Sequence, residues 1–416
     1  MSGRPADLAP CGLRHVSLAE PFAPIEAASG ERAVYTVFWR HGRPAGFHIL
    51  LAGELPVPAA AVPPLAADTA GPIVAGEDEA ATPPPPSGSV SVSVSVSVSV
   101  VICTRDRPED LTRCLASLGR CVPPPSEVLV VDNAPRTDAT AQAVHAFPNA
   151  RYVREDRPGL SHARNAGIEA ATGEVIAFTD DDVELPEDWI ARLATPFTDP
   201  EVTCVTGLVL PADLSSEAAC LFEFGIGGFG HVLHRRRFDR DYLKTSWWRP
   251  PDVWKMGAGA NMAMRRAAFA EVGLFDPRLG AGASGCSEDS EFWFRLLRAG
   301  HVCVYDPAAV VFHHHRSERP ELFRQLRAYA RGHVVALFVQ FVQDRRPAHL
   351  IRAFALMPWY YLKLVFRAIR HRDRDLLAIV RPQFLGCLEG PFHALTWLRR
   401  DGPPRLAPSH PSRDRP

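Results

Sequence analysis

The sequence predicts an α/β protein built on a mostly parallel sheet, with a small β-containing region before it and a helical region after it. Three observations carry this. The short apolar runs VSVVICT (98–104), EVLVVDN (127–133) and EVIAFTDDD (174–182) read as strands buried on both faces. Segments of helical period lie between them, and strands alternating with helices imply a parallel sheet with right-handed crossovers. Each run ends on polar residues, namely Thr104, Asp132 and Asp180–Asp182, at the carboxyl ends where ligands of such sheets bind. These residues are expected to converge on one crevice.

The elements follow in order. Residues 31–52 read as a hairpin, Val34–Trp39 and Phe47–Leu51 flanking the turn-rich HGRPAG. Residues 1–75 form the small β-containing region. Residues 76–95 have linker composition: Pro83–Pro86 favours an extended chain, and only the end of the Ser/Val alternation is expected to enter the sheet. After the first strand, Arg107–Leu118 places Leu111, Leu115 and Leu118 at helical spacing. Asp138–Phe147 reads as a helix, 151–155 as a short strand and Leu160–Ala171 as a helix. Residues 96–335 make up the expected catalytic region, 336–400 an amphipathic helical region and 401–416 a disordered tail.

Composition bounds the chemistry. The chain has 416 residues, 46% hydrophobic and 22% charged, enough for a sizeable core. The formal net charge of −1 provides no global basic field, so nucleic acid is not an expected partner. Nine scattered cysteines with no C-x-x-C argue against a disulfide framework or zinc knuckle and suit a reducing compartment. The first ten residues have no apolar signal core, and no run is long enough to span a membrane. A cytoplasmic protein is expected.

The sharpest chemical signal is FTDDDVELPEDW, 178–189. Three adjacent acids repel one another and call for a counter-charge, most simply a divalent cation. In extended backbone Asp180 and Asp182 project to one side, which suits a hard cation whose shell is completed by substrate phosphates. The plain alternative is a solvated acidic turn before a helix. Asp132 ends the preceding strand in VVDNAP, and Arg164 lies in GLSHARNAGI, where it can face a base or a phosphate. Glu288-Asp289 opens a helical segment, and three histidines, 313–315, follow the strand VCVYDPAAVVF.

CTRDRP, VVDNAP and ARNAGIEAATGEVIAFTDDD, in this order, resemble a family 2 glycosyltransferase of the GT-A fold, a Rossmann-like, mostly parallel sheet. GAGANMAMRRAAFAEVGLFDPRLGAG (257–282), SEDSEFWFRLLRAGH (287–301) and VVFHHHR (310–316) resemble its acceptor-side, Glu-Asp and histidine segments. The resemblance covers roughly residues 96–335. It implies a nucleotide-diphospho-sugar donor contacted by Thr104, Arg105, Asp132, Arg164, Asp180 and Glu288. It implies a Mg²⁺ or Mn²⁺ ion held by Asp180, Asp182 and His313, with His315 the other choice, and Asp289 as general base. One departure is Ser287, where the family more often has glycine before Glu-Asp.

The implied reaction is sugar transfer with inversion to an acceptor hydroxyl, on a cell-envelope glycan or a lipid-linked acceptor. A cation neutralises the leaving diphosphate and a carboxylate takes the acceptor proton. Two other readings stay open: a nucleotidyltransferase, disfavoured by a glycine-free CTRDRPEDL turn, and a non-catalytic nucleotide-sugar-binding or assembly protein. Residues 345–416 carry 14 Lys+Arg against 5 Asp+Glu. Arg346, Arg352, Lys363, Arg367, Arg370 and Arg372 accompany Trp359, Tyr360, Tyr361 and Phe366. The stretch 345–400 therefore suits peripheral contact with the inner face of an anionic membrane, the alternative being a helical domain packed on the core.

Overall fold

In the computed structural model of the protein, residues 4–69, 96–230 and 232–401 are described. The linker 76–95 and the tail beyond residue 401 lie outside these residues. Among the described residues twelve strands occur in chain order: β1 (Cys11–Ser17), β2 (Ala33–Arg40), β3 (Arg43–Leu51), β4 (Val98–Thr104), β5 (Glu127–Asn133), β6 (Ala150–Glu155), β7 (Val175–Asp180), β8 (Val183–Glu184), β9 (Val202–Pro211), β10 (Arg236–Phe238), β11 (Asn261–Arg265) and β12 (Val302–His313).

The central sheet has the order β10-β12-β9-β11-β7-β4-β5-β6, with β8 paired to β12. Strands β4, β5, β6, β7, β9 and β12 run in one direction; β8, β10 and β11 run against them. The mostly parallel α/β sheet expected from the sequence is therefore present. The antiparallel insertion of β11 between β7 and β9 was not anticipated. Successive strand residues face opposite sides. Val101, Leu129, Val131, Ile176 and Phe178 enter one core, while Val100, Ile102, Val128, Val130 and Ala177 enter the other. That two-sided burial is why the strands read as unbroken apolar runs.

Register sets the site. Thr104 pairs with Asp132, and Cys103 pairs with Asp180, so the carboxyl ends of β4, β5 and β7 lie level. The hairpin is also present, but its turn is only His41-Gly42. Both have positive φ, 51° and 71°, which matches the right-handed twist of the flanking strands. The rest of HGRPAG is taken into β3. The three-stranded sheet β1-β2-β3 shares the central core through Cys11, Tyr35 and Val37, beside Leu210, Leu214 and Cys220.

The helix Arg319–Asp344 crosses residue 335 without a break. The helices Met357–Arg370 and Arg374–Asp401 pack beyond it, joined to the helix Pro347–Ile351 by a π-helical turn. All nine cysteines are free.

Asn261, fully buried on β11, ties the sheet where β9 and β12 slip register. Its amide donates to the carbonyls of Leu208 (2.9 Å) and Ala309 (2.8 Å) and accepts from the Trp189 indole (3.0 Å). Asn261→Ala leaves three buried groups unpaired. At about 1–3 kcal/mol each, it should lower stability by about 3 kcal/mol or more, read as a lower denaturant midpoint with an unchanged slope.

Candidate functional site

A cavity of about 1420 Å³ opens at the carboxyl ends of β4 and β7 and runs on to the C-terminal helices. It is lined by Thr104, Arg105, Arg164, Asp180, Asp182, Glu288, Asp289 and His313. The structure thus brings together the residues singled out in the sequence except Asp132 and the alternative ligand His315. Strand β5 continues one residue further, to Asn133, so Asp132 sits inside the ladder with no exposed surface. There it accepts a 2.9 Å hydrogen bond from the Tyr152 hydroxyl. Burial pushes its carboxyl up, against that bond. Asn133 lines the cavity in its place.

The acidic triplet is not extended. Strand β7 ends at Asp180, and Asp181-Asp182 form a turn, so strand alternation does not set their directions. Instead each acid has its own partners. Asp181 accepts from the Thr104 hydroxyl at 2.7 Å and from Arg107 at 2.6 Å. The same Arg107 nitrogen reaches Asp182 at 2.9 Å. Burial and the neighbouring Asp182 push the Asp181 carboxyl up to about 7, against the pull of Arg107. Burial acts on Asp182 too, but His313, Arg107 and Arg316 outweigh it and hold that carboxyl far below the usual range. Asp182 therefore stays charged.

Pairing of β8 with β12 aligns Val183 with His313 and brings Asp182 to the histidines. His313 Nε2 lies 3.3 Å from Asp182 Oδ1. His315 does not share that position. Its Nε2 lies 3.1 Å from Glu223 and its Nδ1 3.0 Å from His313 Nδ1. Burial lowers the pKa of His315 and keeps it neutral. A neutral His315 that donates from Nε2 to Glu223 has an acceptor at Nδ1, which takes the Nδ1–H of His313. That fixes His313 Nε2 as the nitrogen facing Asp182. His314 turns away to Glu184 at 2.7 Å.

Across the cavity Arg164, buried against the rings of Phe178 and Phe275, joins two acidic segments. It donates to Glu288 at 2.6 Å and lies 3.7 Å from Asp180. Its guanidinium is thus engaged by protein carboxylates. Ser287, the departure from the family pattern, has φ 71°, a conformation that glycine adopts without strain. Asp289 follows in the first helical turn. It accepts from the backbone N–H of Gly259 (2.9 Å) and of Ser290 (2.6 Å) and, alone among the five acids 180–182 and 288–289, makes no ion pair among the described residues. A Cβ at Gly259 would lie 2.6 Å from Arg164 and 3.2 Å from Asp289, so the strand-side backbone must be glycine there.

Sequence reasoning missed Arg107, Arg316 and Glu223. An acid triplet demands local cations, so CTRDRP and HHHR offered the first two; nothing local pointed to Glu223. No three His, Cys, Asp or Glu side chains among the described residues are grouped to hold a metal alone. Asp182 and His313 do fit a cation that completes its shell from substrate phosphates and water.

The comparisons agree with this geometry. The family model Glycosyl transferase family 2 matches residues 99–273. The chain is 26% identical over 206 residues to the pre-mycofactocin glycosyltransferase of Mycobacterium tuberculosis, covering 50% of this chain and 40% of that one. It is 28% identical over 217 residues to the succinoglycan biosynthesis protein ExoM of Rhizobium meliloti, covering 50% of this chain and 64% of that one. It thus spans less than two thirds of the length of either relative. Among solved structures, a mannosyltransferase from Pyrobaculum calidifontis in complex with GDP-Man and Mn2+ matches with a TM-score of 0.51 at 19% identity, covering 71% of this chain and 87% of that one.

Glu288 yields a prediction of pH dependence. Burial raises its carboxyl to about 7, with Arg164 pulling the other way. A group that binds its proton more tightly when folded stabilises at low pH, and that contribution fades as pH rises through the folded value. Thermal stability of the protein without ligands should fall between about pH 4.5 and 7.5, by at most about 1.4 kcal/mol per pH unit for this one proton. Glu288→Gln should flatten the slope over the same window, as read by calorimetry across pH.

Proposed function

We propose, on the match of residues 99–273 to the Glycosyl transferase family 2 model, that the chain is an inverting, metal-dependent glycosyltransferase. It moves a sugar from a nucleotide-diphospho-sugar to a hydroxyl of a cell-envelope or lipid-linked glycan. The observation that carries the reading is the division of acids in one cavity. Asp182 is matched by cations and stays charged, while Asp289, across the cavity, makes no ion pair.

Asp182 and His313, with Asp180 beside them, would hold the divalent cation, which neutralises the negative charge that gathers on the departing diphosphate. Thr104, Arg105 and Asn133 border the donor end. Asp289 is the acceptor-side base: backbone N–H groups fix its direction, and no arginine occupies its oxygens. It takes the proton of the acceptor hydroxyl as that oxygen bonds to the anomeric carbon and the bond to the diphosphate breaks. Glu288 and Asp180 both engage Arg164, so neither is free to form a covalent glycosyl intermediate, which favours direct displacement with inversion. The likeness to a fold solved with GDP-Man and Mn2+ supports the donor and cation classes, and a relative named for succinoglycan biosynthesis supports a glycan acceptor.

Thermal stabilisation by a panel of nucleoside diphosphates, with and without Mn²⁺, tests the donor site. A Mn²⁺-dependent shift for one nucleotide, lost in Asp182→Ala, is the expected result. Asp289→Asn should keep that shift and lose about 10²–10⁴-fold in turnover. No shift with any nucleotide would overturn the proposal in favour of a scaffold that keeps only the fold.

The orienting chain behind His313 gives a separate expectation. Glu223→Ala should raise the Mn²⁺ concentration needed for half the nucleotide shift by about 10–100-fold. Glu223→Gln, which still presents a carbonyl oxygen to His315, should sit nearer the wild type.

A further inference from the structure

The helix Met357–Arg370 has three faces. Met357, Tyr361, Leu364, Val365 and Ala368 pack inward. Trp359, Leu362, Phe366 and Ile369, at spacings of three and four, form an outward apolar stripe; Phe366 is 69% and Ile369 61% exposed. Lys363, Arg367 and Arg370 form a basic stripe directly beside it. None of these three cations makes an ion pair among the described residues, and Lys363 lies over the Trp359 ring at 5.1 Å. The next helix repeats the pattern, with Leu385, Leu388, Phe392 and Leu395 exposed at the same spacing.

A soluble surface gains nothing from two such stripes, and large exposed apolar patches mark interaction sites. The unpaired cations beside the apolar stripe select the occupant. We propose that this face docks on an anionic lipid surface, with the apolar stripe at the acyl boundary and the basic stripe at the headgroups. No helix among the described residues is long and apolar enough to cross a membrane, in keeping with a helix that lies in the interface. The structure also narrows the basic stretch read from the sequence. Arg346 donates to the Leu243 and Thr245 carbonyls, and Arg352 stacks on Trp254 at 3.9 Å. These two belong to the fold.

The face connects to the site. The cavity that holds Asp289 continues past Trp254 and Met357 to Tyr360, which is 57% exposed on the same helix. On the glycosyl-transfer reading, the acceptor end of the cavity then opens at the lipid surface and takes a lipid-anchored acceptor. Docking itself does not depend on that reading.

The test is co-sedimentation of the full chain with phosphatidylcholine vesicles, with and without phosphatidylglycerol. Binding should require phosphatidylglycerol. Phe366→Ser with Ile369→Ser should weaken it by about tenfold or more per side chain. Lys363→Gln, Arg367→Gln and Arg370→Gln together should weaken it by about fivefold per cation and flatten its salt dependence. Neither set touches the cavity, so the nucleotide thermal shift serves as the folding control. A chain that shows the shift and ignores anionic vesicles overturns docking alone; one that binds vesicles and shows no shift overturns the donor reading alone. If the chain instead forms a dimer that Phe366→Ser with Ile369→Ser disperses, and ignores vesicles, the face is an interface between copies and the proposal fails.

Discussion

Five carboxylates, Asp180, Asp181, Asp182, Glu288 and Asp289, face one cavity, and like charges this close cannot be held without compensation. The architecture around the cavity answers that demand. Arg107, at the start of the helix after β4, spans Asp181 and Asp182. Arg164, from the helix after β6, spans Asp180 and Glu288. His313 and Arg316, at the end of β12, reach Asp182. Protonation of Asp181 and Glu288 near neutral pH removes further charge. The cations come from three separate stretches of chain, so the acids cannot gather until the sheet has set its register. The site is a consequence of the completed fold.

The small N-terminal sheet takes part in this. Adjacent residues of a strand face opposite sides. At the end of β12, Phe312 turns to the N-terminal sheet, with its ring 5.1 Å from that of His15 and 6.4 Å from that of Trp39. His313 turns to Asp182. The His15 ring in turn accepts from the Trp39 indole at 2.9 Å. The β1-β2-β3 sheet thus clamps the strand end that presents His313. The helices beyond residue 319 close the opposite wall, where Arg352 lies over the Trp254 ring and His333 meets that ring edge-on. Burial lowers His333 to about 3, so that wall holds a neutral imidazole.

What was legible in the sequence follows from how local its cause is. The parallel strands showed because burial on both faces leaves continuous apolar runs, and the fold showed because its polar residues sit at strand ends in fixed order. The antiparallel β11 did not show. NMAMR has no period that separates it from its neighbours, and its place between β7 and β9 is decided by Asn261 and by pairing with distant strands. Asp132 looked like a strand-end contact, yet it is paired on both sides by β4 and β6 and turned to the Tyr152 hydroxyl, a partner that strand spacing does not reveal. Arg107 and Glu223 act across 74 and 92 residues of chain, distances at which spacing carries no signal. Arg164 was legible as a site residue, but its partners were not, because Glu288 lies 124 residues away.

The charge pattern also bears on how donor and cation bind on the proposed reading. Asp182 is already matched by Arg107, His313 and Arg316, so a cation alone brings positive charge to a carboxylate that has enough. A diphosphate alone meets Asp180, Asp182 and Asp289. Each ligand offsets the charge that makes the other costly, so the two bind as coupled partners. Such coupling is worth about 1–3 kcal/mol and is equal in both directions: whatever the cation adds to nucleotide affinity, the nucleotide adds to cation affinity. Asp182 raises the pKa of His313 against the cost of burial, so a cation held at Nε2 would compete with a proton there and its affinity would rise with pH. A site whose acids are neutralised internally is therefore stable while it waits and selective for the pair over either partner.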